Sequence, residues 1–196
     1  MDLRIGTWKI SFNAPVILTL VFITLIVVII SNYLVNLAPL FSAKATVALL
    51  APTYYLGLLC HPLAHANWTH WFGNIMFLLL LGPILEEKYG SLRLLLMIVV
   101  TAVLTGLLNS LFFDASLIGA SGIVFMLMIL ISFANVKEKQ IPLSFILVVL
   151  IFLGQEIIAS FKPDHVSQFG HIIGGLCGGA FGFFLNKILP KKAAIA

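Results

Sequence analysis

Long apolar runs alternate along the chain with short polar segments, and this alternation predicts a set of membrane-crossing helices. Each run holds about 18–22 residues, enough to cross a hydrocarbon core of ~30 Å at a rise of about 1.5 Å per residue. Backbone groups in lipid must be satisfied within their own segment, so we expect helices rather than strands. The six predicted spans are residues 15–36, 68–85, 92–113, 117–136, 141–160 and 170–189.

Few polar side chains lie inside these runs, and three of them are predicted to share one depth. Each lies sixteen residues before the first charged residue at the far end of its span: His70 before Glu86, Ser121 before Lys137 and His171 before Lys187. At the helical rise this is about 24 Å, which places all three a few ångströms below the opposite membrane surface. Because polar groups inside a membrane are costly and tend to mark function, the shared depth indicates a candidate site.

The faces of spans 4 and 6 predict that the serine and the histidine meet. In span 6, His171 shares one stripe with several glycines, and glycines four residues apart allow another helix backbone to approach closely. In span 4, Ser121 shares its face with Phe125, and the flanking Gly119 and Gly122 also permit close packing. The glycines of the span 6 stripe are Gly174, Gly175, Gly178 and Gly182.

Contact between Ser121 and His171 would permit nucleophilic catalysis. A serine hydroxyl becomes an effective nucleophile when a base within about 2.6–3.2 Å accepts its proton. Spans 4 and 6 contain no Asp or Glu, so the arrangement would be a Ser-His dyad. His70 and Asn74 share one face of span 2 and would donate to an oxyanion together with the Ser121 backbone N–H. The alternative for His70 and Asn74 is ordinary hydrogen bonding between helices.

Composition and charge predict a membrane protein with both termini on the inner side. Hydrophobic residues make up 61% of the chain and charged residues 9%, with a mean hydropathy of +1.15, whereas soluble domains carry about 25% charged residues. Of the eleven basic residues, only Lys44 and Lys162 fall outside the terminal, 2–3 and 4–5 segments. The six spans predict an all-α bundle of transmembrane helices. The positive-inside rule predicts its orientation, with the N-terminus and the C-terminus both on the cytoplasmic side (N-in and C-in). The net charge of +4 then reflects topology and not nucleic-acid binding.

The cysteines and the remaining polar residues predict structural roles. Cys60 and Cys177 form no paired motif, and a site made of Cys60 with nearby histidines fits no closed set of zinc ligands. We therefore expect no metal. His61 and His65 are predicted to hydrogen-bond the loop backbone before span 2, and the polar pair at residues 109–110 to bond between helices.

Four motifs, in this order, resemble the rhomboid family of intramembrane serine proteases. The motifs are His61-x3-His65-x4-His70-x3-Asn74, Gly82-x3-Glu86-x3-Gly90, Gly119-x-Ser121-Gly122 and His171-x2-Gly174-x3-Gly178. The resemblance extends from about residue 55 onward, and each motif lies on the span that the predicted topology requires. A Gly-x-Ser-Gly motif alone would be a weak signal, but the ordered set is a strong one.

The resemblance implies a six-helix bundle around a water-filled cavity open to the outer side. It implies Ser121 as the nucleophile and His171 as the general base. It implies His70, Asn74 and the Ser121 backbone as the oxyanion hole. It further implies cleavage of transmembrane segments of other proteins near the outer membrane face, without a metal, nucleotide or other cofactor.

The resemblance also assigns supporting residues and shows two departures. Gly119 would form the turn that opens the site, and Phe125 would pack against the catalytic histidine. Rhomboids often carry a Trp-Arg pair five residues before the first loop histidine, where this chain has Leu56 and Gly57. The usual anchoring of the long outer loop is therefore in doubt. Gly170 replaces an alanine that often precedes the last histidine, a harmless change.

The sequence thus predicts a single rhomboid-like membrane domain over residues 1–196 that acts as an intramembrane serine endopeptidase. Its partners would be transmembrane substrate proteins and the lipid bilayer, and its compactness favours a prokaryotic plasma membrane. Two alternatives remain open: a rhomboid-like protein that binds membrane helices without cutting them, and a small transporter with His61, His65 and His70 along a proton or metal path. The oligomeric state is not predicted.

Overall fold

The structure, a computed structural model, covers most of the predicted spans. It describes residues 3–5, 8–133 and 168–188, together with six helical residues between 143 and 154. Most of predicted span 5 (141–160) lies outside the described residues, as do residues 134–136 at the end of predicted span 4.

Helices make up most of the described chain, and a short β-hairpin precedes them. Strand β1 (Leu3–Ile5) pairs antiparallel with β2 (Trp8–Ile10), an element that the sequence did not predict. The helices are α1 (Pro15–Tyr33), α2 (Ala38–Phe41), α3 (Pro52–Cys60), α4 (Trp68–Tyr89), α5 (Ser91–Phe112), α6 (Ser121–Phe133) and α7 (Gln168–Ile188). A 3-10 helix, His61–Leu63, follows α3 directly.

Four of the described helices, α1, α4, α5 and α7, are long and apolar enough to cross a membrane. They correspond to predicted spans 1, 2, 3 and 6, and their bounds agree with the prediction to within four residues. Their outward faces carry exposed large apolar side chains such as Phe22, Met76, Leu96 and Phe184, which suits contact with lipid rather than water. The chain is accordingly an integral membrane protein.

Helix α6 begins at Ser121, four residues later than the start predicted for span 4. Leu117 instead forms a β-bridge with Ala43, with N–H···O distances of 2.9 and 3.0 Å. Gly119 has a φ of +109°, which ordinary side chains rarely adopt. The prediction was wrong here because hydrophobicity alone does not distinguish a buried loop from a turn of helix.

Glu86 joins α4 to the start of α1. Its Oε1 accepts the N–H of Val16 at 2.9 Å and its Oε2 accepts the N–H of Ile17 at 3.1 Å, while only 3% of the residue is exposed. The N-cap of α1, Ala14, has no side-chain acceptor, so the carboxylate satisfies two open N–H groups and meets the positive end of the helix dipole. The sequence had placed Glu86 just beyond span 2; the structure corrects this, because the carboxylate is buried between helices.

The glycines on either side of Glu86 complete this junction. A Cβ atom on Gly82 would lie 2.5 Å from Cδ1 of Ile17, so the glycine allows α1 to lie against the backbone of α4. Gly90 has a φ of +83° and is the single residue between α4 and α5, which begins at Ser91. The motif therefore docks three helices at one end of the bundle.

Helices α6 and α7 run parallel and touch through their backbones. A Cβ atom on Gly174 would collide with the carbonyl oxygen of Gly122, and one on Gly178 would collide with that of Met126. Residue numbers increase in the same direction along both helices, from the contact of Gly122 with Gly174 to that of Met126 with Gly178. The two helices therefore point the same way, as the predicted topology requires for spans 4 and 6. The glycine stripe of α7 thus lies in the interface with α6.

Candidate active site

The turn into α6 places Ser121 as the first residue of the helix. The carbonyl of Ala120 accepts the N–H of Val124 at 2.9 Å, so the peptide that links Ala120 to Ser121 already has a helical orientation. The N–H of Ser121 therefore points out of the helix N-terminus, where intrahelical carbonyls do not reach it. An anion beside the Ser121 hydroxyl would meet this donor and the positive end of the dipole.

The α6–α7 interface brings His171 to the same end of the bundle as Ser121. The ring of Phe125, one turn along α6 from Ser121, stacks on the His171 ring with centroids 4.4 Å apart and 8° between the planes. A Cβ atom on Gly122 would lie 3.2 Å from the carbonyl oxygen of Gly170, so the two backbones nearly touch beside this pair. Stacking covers a face of the imidazole and fixes its plane, while the ring nitrogens lie at its edge.

His70 packs against the turn that precedes Ser121. Asn67 is the N-cap of α4, and its side chain accepts the N–H of His70 at 2.8 Å. A Cβ atom on Gly119 would lie 2.6 Å from Cε1 and 2.7 Å from Nε2 of His70, so the imidazole occupies the space that a side chain would need.

Asn74 lies one helical turn after His70 and is 5% exposed. Its Nδ2 donates to the carbonyl oxygen of His70 at 3.0 Å. An amide nitrogen carries two hydrogens, so this bond uses one and orients the group that carries the other. The bond lies within α4 and thus differs from the interhelical bond considered as an alternative.

His61 and His65 bond to backbone groups, but not to those of their own loop as predicted: the partner of His61 is on α5 and that of His65 is in the turn before α6. Nε2 of His61 lies 3.0 Å from the carbonyl oxygen of Ala102 on α5, and Nε2 of His65 accepts the N–H of Ala120 in a long contact of 3.5 Å. The His65 ring meets the His70 ring edge-on, with centroids 5.1 Å apart. Burial in the loop between α1 and α4 lowers the pKa of both histidines to about 4, and repulsion from His70 contributes for His65. Both are therefore neutral at pH 7.

The way in which residues 113–120 are held was not predicted. Asn109, expected to bond between helices, donates from Nδ2 to the carbonyl of Ala115 at 2.8 Å and so secures this loop. A polar residue in the last turn of an apolar span is a signal that could have indicated this role. The bridge between Ala43 and Leu117 has no such signal, because both residues contribute only backbone groups.

The site gathers a hydroxyl, an imidazole of fixed plane and several N–H donors at one end of the bundle. Among the described residues, no three His, Cys, Asp or Glu side chains are arranged to hold a metal ion. A hydroxyl nucleophile, a base on an adjacent helix and donors for a developing oxyanion are the groups that acyl transfer requires.

Comparison with known proteins finds relatives among rhomboid proteins of bacteria, protozoa and plants. The chain is 23% identical over 134 residues to "Rhomboid protease GlpG" of Haemophilus influenzae, which covers 65% of this chain and 68% of that protein. It is 29% identical over 140 residues to "Rhomboid-like protease 1" of Toxoplasma gondii, covering 65% and 46% of the two chains. It is 32% identical over 131 residues to "RHOMBOID-like protein 2" of Arabidopsis thaliana, covering 62% and 39%.

These relatives differ in how much of their own length the chain spans. It covers about two thirds of the Haemophilus protein and less than half of the other two. The sequence profile of the Rhomboid domain matches residues 52–188, which include α3, the turn before Ser121 and the glycine stripe of α7. Since this match takes in well over half of the sequence, the chain belongs to the rhomboid family.

Proposed function

We propose that the protein is an intramembrane serine endopeptidase in which Ser121 and His171 form the catalytic dyad. The observation that carries the proposal is the stack of Phe125 on His171, at 4.4 Å, one turn from Ser121 on the adjacent helix. Membership of the rhomboid family supports it, as do the names of two relatives, a rhomboid protease and a rhomboid-like protease.

In the proposed mechanism His171 acts first as a general base. Its neutral imidazole takes the proton of the Ser121 hydroxyl as the oxygen attacks the scissile carbonyl carbon. The resulting oxyanion accepts hydrogen bonds from the Ser121 N–H, the His70 imidazole and the Asn74 amide. Collapse of the intermediate breaks the C–N bond, and the imidazolium returns its proton to the leaving amine. Water then attacks the acyl-enzyme in the same way and releases Ser121.

In the proposed dyad, the packing of Phe125 on His171 orients the imidazole, which is the role of the carboxylate in a catalytic triad. In a triad the carboxylate holds the imidazole in one orientation and tautomer. Predicted spans 4 and 6 contain no Asp or Glu, and the Phe125 ring lies nearly parallel to the His171 ring, at 8°. The stack would hold the plane of the base without a charged partner.

The proposed substrates are transmembrane segments of other proteins, cut near the outer membrane face. Tyr33 and Trp68 lie together at the end of the bundle near His70, with ring centroids 6.5 Å apart, and such aromatic pairs are typical of a membrane interface. Lys88 and Arg93 lie at the opposite end, which the positive-inside rule assigns to the cytoplasm. The site would then open to the extracytoplasmic side of a prokaryotic plasma membrane, in a six-span bundle.

The proposal is tested with purified protein in lipid vesicles that also hold a fluorescently labelled transmembrane substrate. Wild type is compared with Ser121→Ala and His171→Ala, and each is expected to lose at least about a thousandfold in kcat. The matched control is Ser132→Ala, because Ser132 lies on the same helix and its hydroxyl bonds only the carbonyl of Met128 among the contacts described, at 3.1 Å. The control should cleave at close to the wild-type rate.

Each other outcome has a distinct meaning. Undiminished cleavage by Ser121→Ala contradicts the dyad. A loss of activity in Ser132→Ala as large as in Ser121→Ala would show that the helix, rather than the nucleophile, is being disturbed. Wild-type protein that binds the labelled helices without cutting them would favour the non-catalytic binder.

A further inference from the structure

The turn before Ser121 is held by the outer loop. The N–H of Gly119 donates to the backbone carbonyl of His61 at 2.9 Å, and Leu117 exchanges two backbone hydrogen bonds with Ala43. Gly119 has a φ of +109°, in a region where glycine has wide conformational freedom. The hydrogen bond to His61, together with the bridge to Ala43, therefore restricts the geometries that the turn can adopt.

His61 is in turn fastened to α5 by its ring. Nε2 lies 3.0 Å from the carbonyl oxygen of Ala102 and 3.3 Å from Oγ1 of Thr105, and the residue is 2% exposed. Because a carbonyl only accepts, Nε2 carries the hydrogen of this bond. A Cβ atom on Gly106 would lie 3.3 Å from Cδ2 of His61, so the imidazole lies close to the backbone of α5.

The rest of the outer loop is anchored without the Trp-Arg pair that many rhomboids carry. At the second position of that pair, Gly57 packs so closely on the carbonyl of Ser42 that a Cβ atom would collide with it. Nearby, the hydroxyl of Tyr54 lies 2.8 Å from that of Ser110 on α5. Backbone contacts and α5 thus hold the segment that pairs with the serine turn.

We infer that His61 is a positioning residue, whose ring fastens the outer loop to α5 and whose carbonyl sets the Gly119 turn that presents Ser121. The inference rests on the proposed role of Ser121. His61 acts through the Gly119 N–H and does not touch the reacting atoms. A nucleophile misplaced by about 1 Å costs roughly a hundredfold in rate, so loosening this turn lowers kcat and leaves substrate binding nearly unchanged.

The first test compares the kinetics of His61→Leu and His61→Gln. Leucine removes the ring N–H, whereas the glutamine amide restores a donor at a similar reach toward the Ala102 carbonyl. We expect a fall of about a hundredfold in kcat for His61→Leu with KM little changed, and recovery of most of the rate in His61→Gln. Glu86→Gln, at the opposite end of the bundle, is the destabilising control and should keep its kcat per folded molecule.

The second test does not depend on activity and measures hydrogen exchange of the Gly119 amide. Exchange should be slow in wild type and His61→Gln and at least about tenfold faster in His61→Leu, while the amides of α5 stay protected. If His61→Leu does not fold, Gly106→Ala tests the same packing of the loop on α5, because its Cβ would lie 3.3 Å from the His61 ring and 3.2 Å from the side chains of Ala43 and Leu58, and it should change exchange and kcat in the same direction.

The two readouts separate the inference from the function on which it rests. Unchanged exchange and unchanged kcat in His61→Leu would overturn the positioning role, as would a His61→Gln variant no better than His61→Leu. A wild-type protein that shows the expected exchange pattern but cleaves nothing would contradict the role of Ser121 and leave the positioning of the turn by His61 intact.

Discussion

At the scale of single residues, the site depends on missing side chains as much as on reactive ones. Gly119 leaves the space that the His70 ring fills, at 2.6 Å from where a Cβ atom would lie. Gly122 allows the backbone of Gly170 to approach, which brings His171 beside α6. A methyl group at Gly119 would displace the His70 ring, and one at Gly122 would push away the backbone that carries His171. The proposed chemistry needs both histidines.

Asn74 tests the oxyanion assignment. Asn74→Ala removes one proposed donor and should lower kcat by roughly 10²–10³-fold, because that donor acts on charge that develops in the transition state. Asn32→Ala is the matched control, since the Asn32 amide also bonds the carbonyl four residues earlier, at 2.8 Å, but at the end of α1. Steady-state cleavage kinetics measure kcat for both variants. If kcat falls equally little in Asn74→Ala and Asn32→Ala, Asn74 has a structural role only.

At the scale of elements, polar contacts tie the helices together at both ends. Toward the end that carries Ser121, Nε1 of Trp71 donates to Oγ1 of Thr24 at 3.1 Å and joins α4 to α1. At the other end, the Glu86 carboxylate binds two N–H groups of α1. Helices that associate within lipid gain little free energy from the hydrophobic effect. Polar contacts such as these therefore contribute to how the helices associate.

Replacing Glu86 should loosen the junction of α1 and α4. Glu86→Gln replaces a charged acceptor at a helix N-terminus by a neutral one, and should lower the free energy of unfolding by about 1.5–3 kcal/mol. Glu87→Gln is the control, because the neighbouring Glu87 is exposed. Unfolding curves in mixed detergent measure both variants. Equal stability of the two would contradict the capping role of Glu86.

The burial of His61 and His65 predicts that the free energy of unfolding falls in acid. Folding lowers the pKa of His61 and His65 from 6.5 to about 4, so between these values the unfolded chain binds protons that the folded chain excludes. Stability should therefore be constant above about pH 6.5 and fall as the pH drops toward 4. His61→Gln should flatten this slope in a pH series of unfolding curves, and an unchanged slope would contradict the burial of a neutral His61.

At the scale of the whole molecule, charge and site location predict the orientation in the membrane. In a variant with Cys60→Ser and Cys177→Ala, the substitution Leu50→Cys, at a residue that is 100% exposed in the loop between α1 and α4, should give a cysteine that reacts with an impermeant maleimide added to spheroplasts. A cysteine at Glu87 should react only after the membrane is permeabilised. Labelling of the Glu87 position in intact spheroplasts would contradict the proposed N-in orientation.

The sequence predicted the long helices and the site-bearing faces because both depend on periodicity. Apolar length located α1, α4, α5 and α7, and the glycine spacing located the α6–α7 interface. It could not predict the start of α6, since Leu117 is as apolar in a bridge as in a helix. It also could not predict that Glu86 is buried, because its partners are backbone N–H groups of a distant helix.

The contacts made by the loop between α1 and α4 could not be predicted from the sequence for a similar reason. The backbone carbonyl of His61 accepts the N–H of Gly119, and the His61 ring bonds the backbone carbonyl of Ala102. Both contacts involve backbone groups, which every residue type has, so the sequence does not indicate them. The loop between α1 and α4 contains α2 and α3, which are too short for hydrophobic periodicity to reveal. Only a structure shows that this loop holds the serine turn.

The central claim, that Ser121 is a nucleophile activated by His171, is tested most directly by covalent trapping. The folded protein in lipid is treated with a fluorophosphonate, and mass spectrometry locates the adduct. The account predicts a single adduct on Ser121 in wild type and in Ser132→Ala, and labelling slowed at least about a thousandfold in His171→Ala. An adduct on another residue, or labelling of Ser121 at the wild-type rate in His171→Ala, would contradict it.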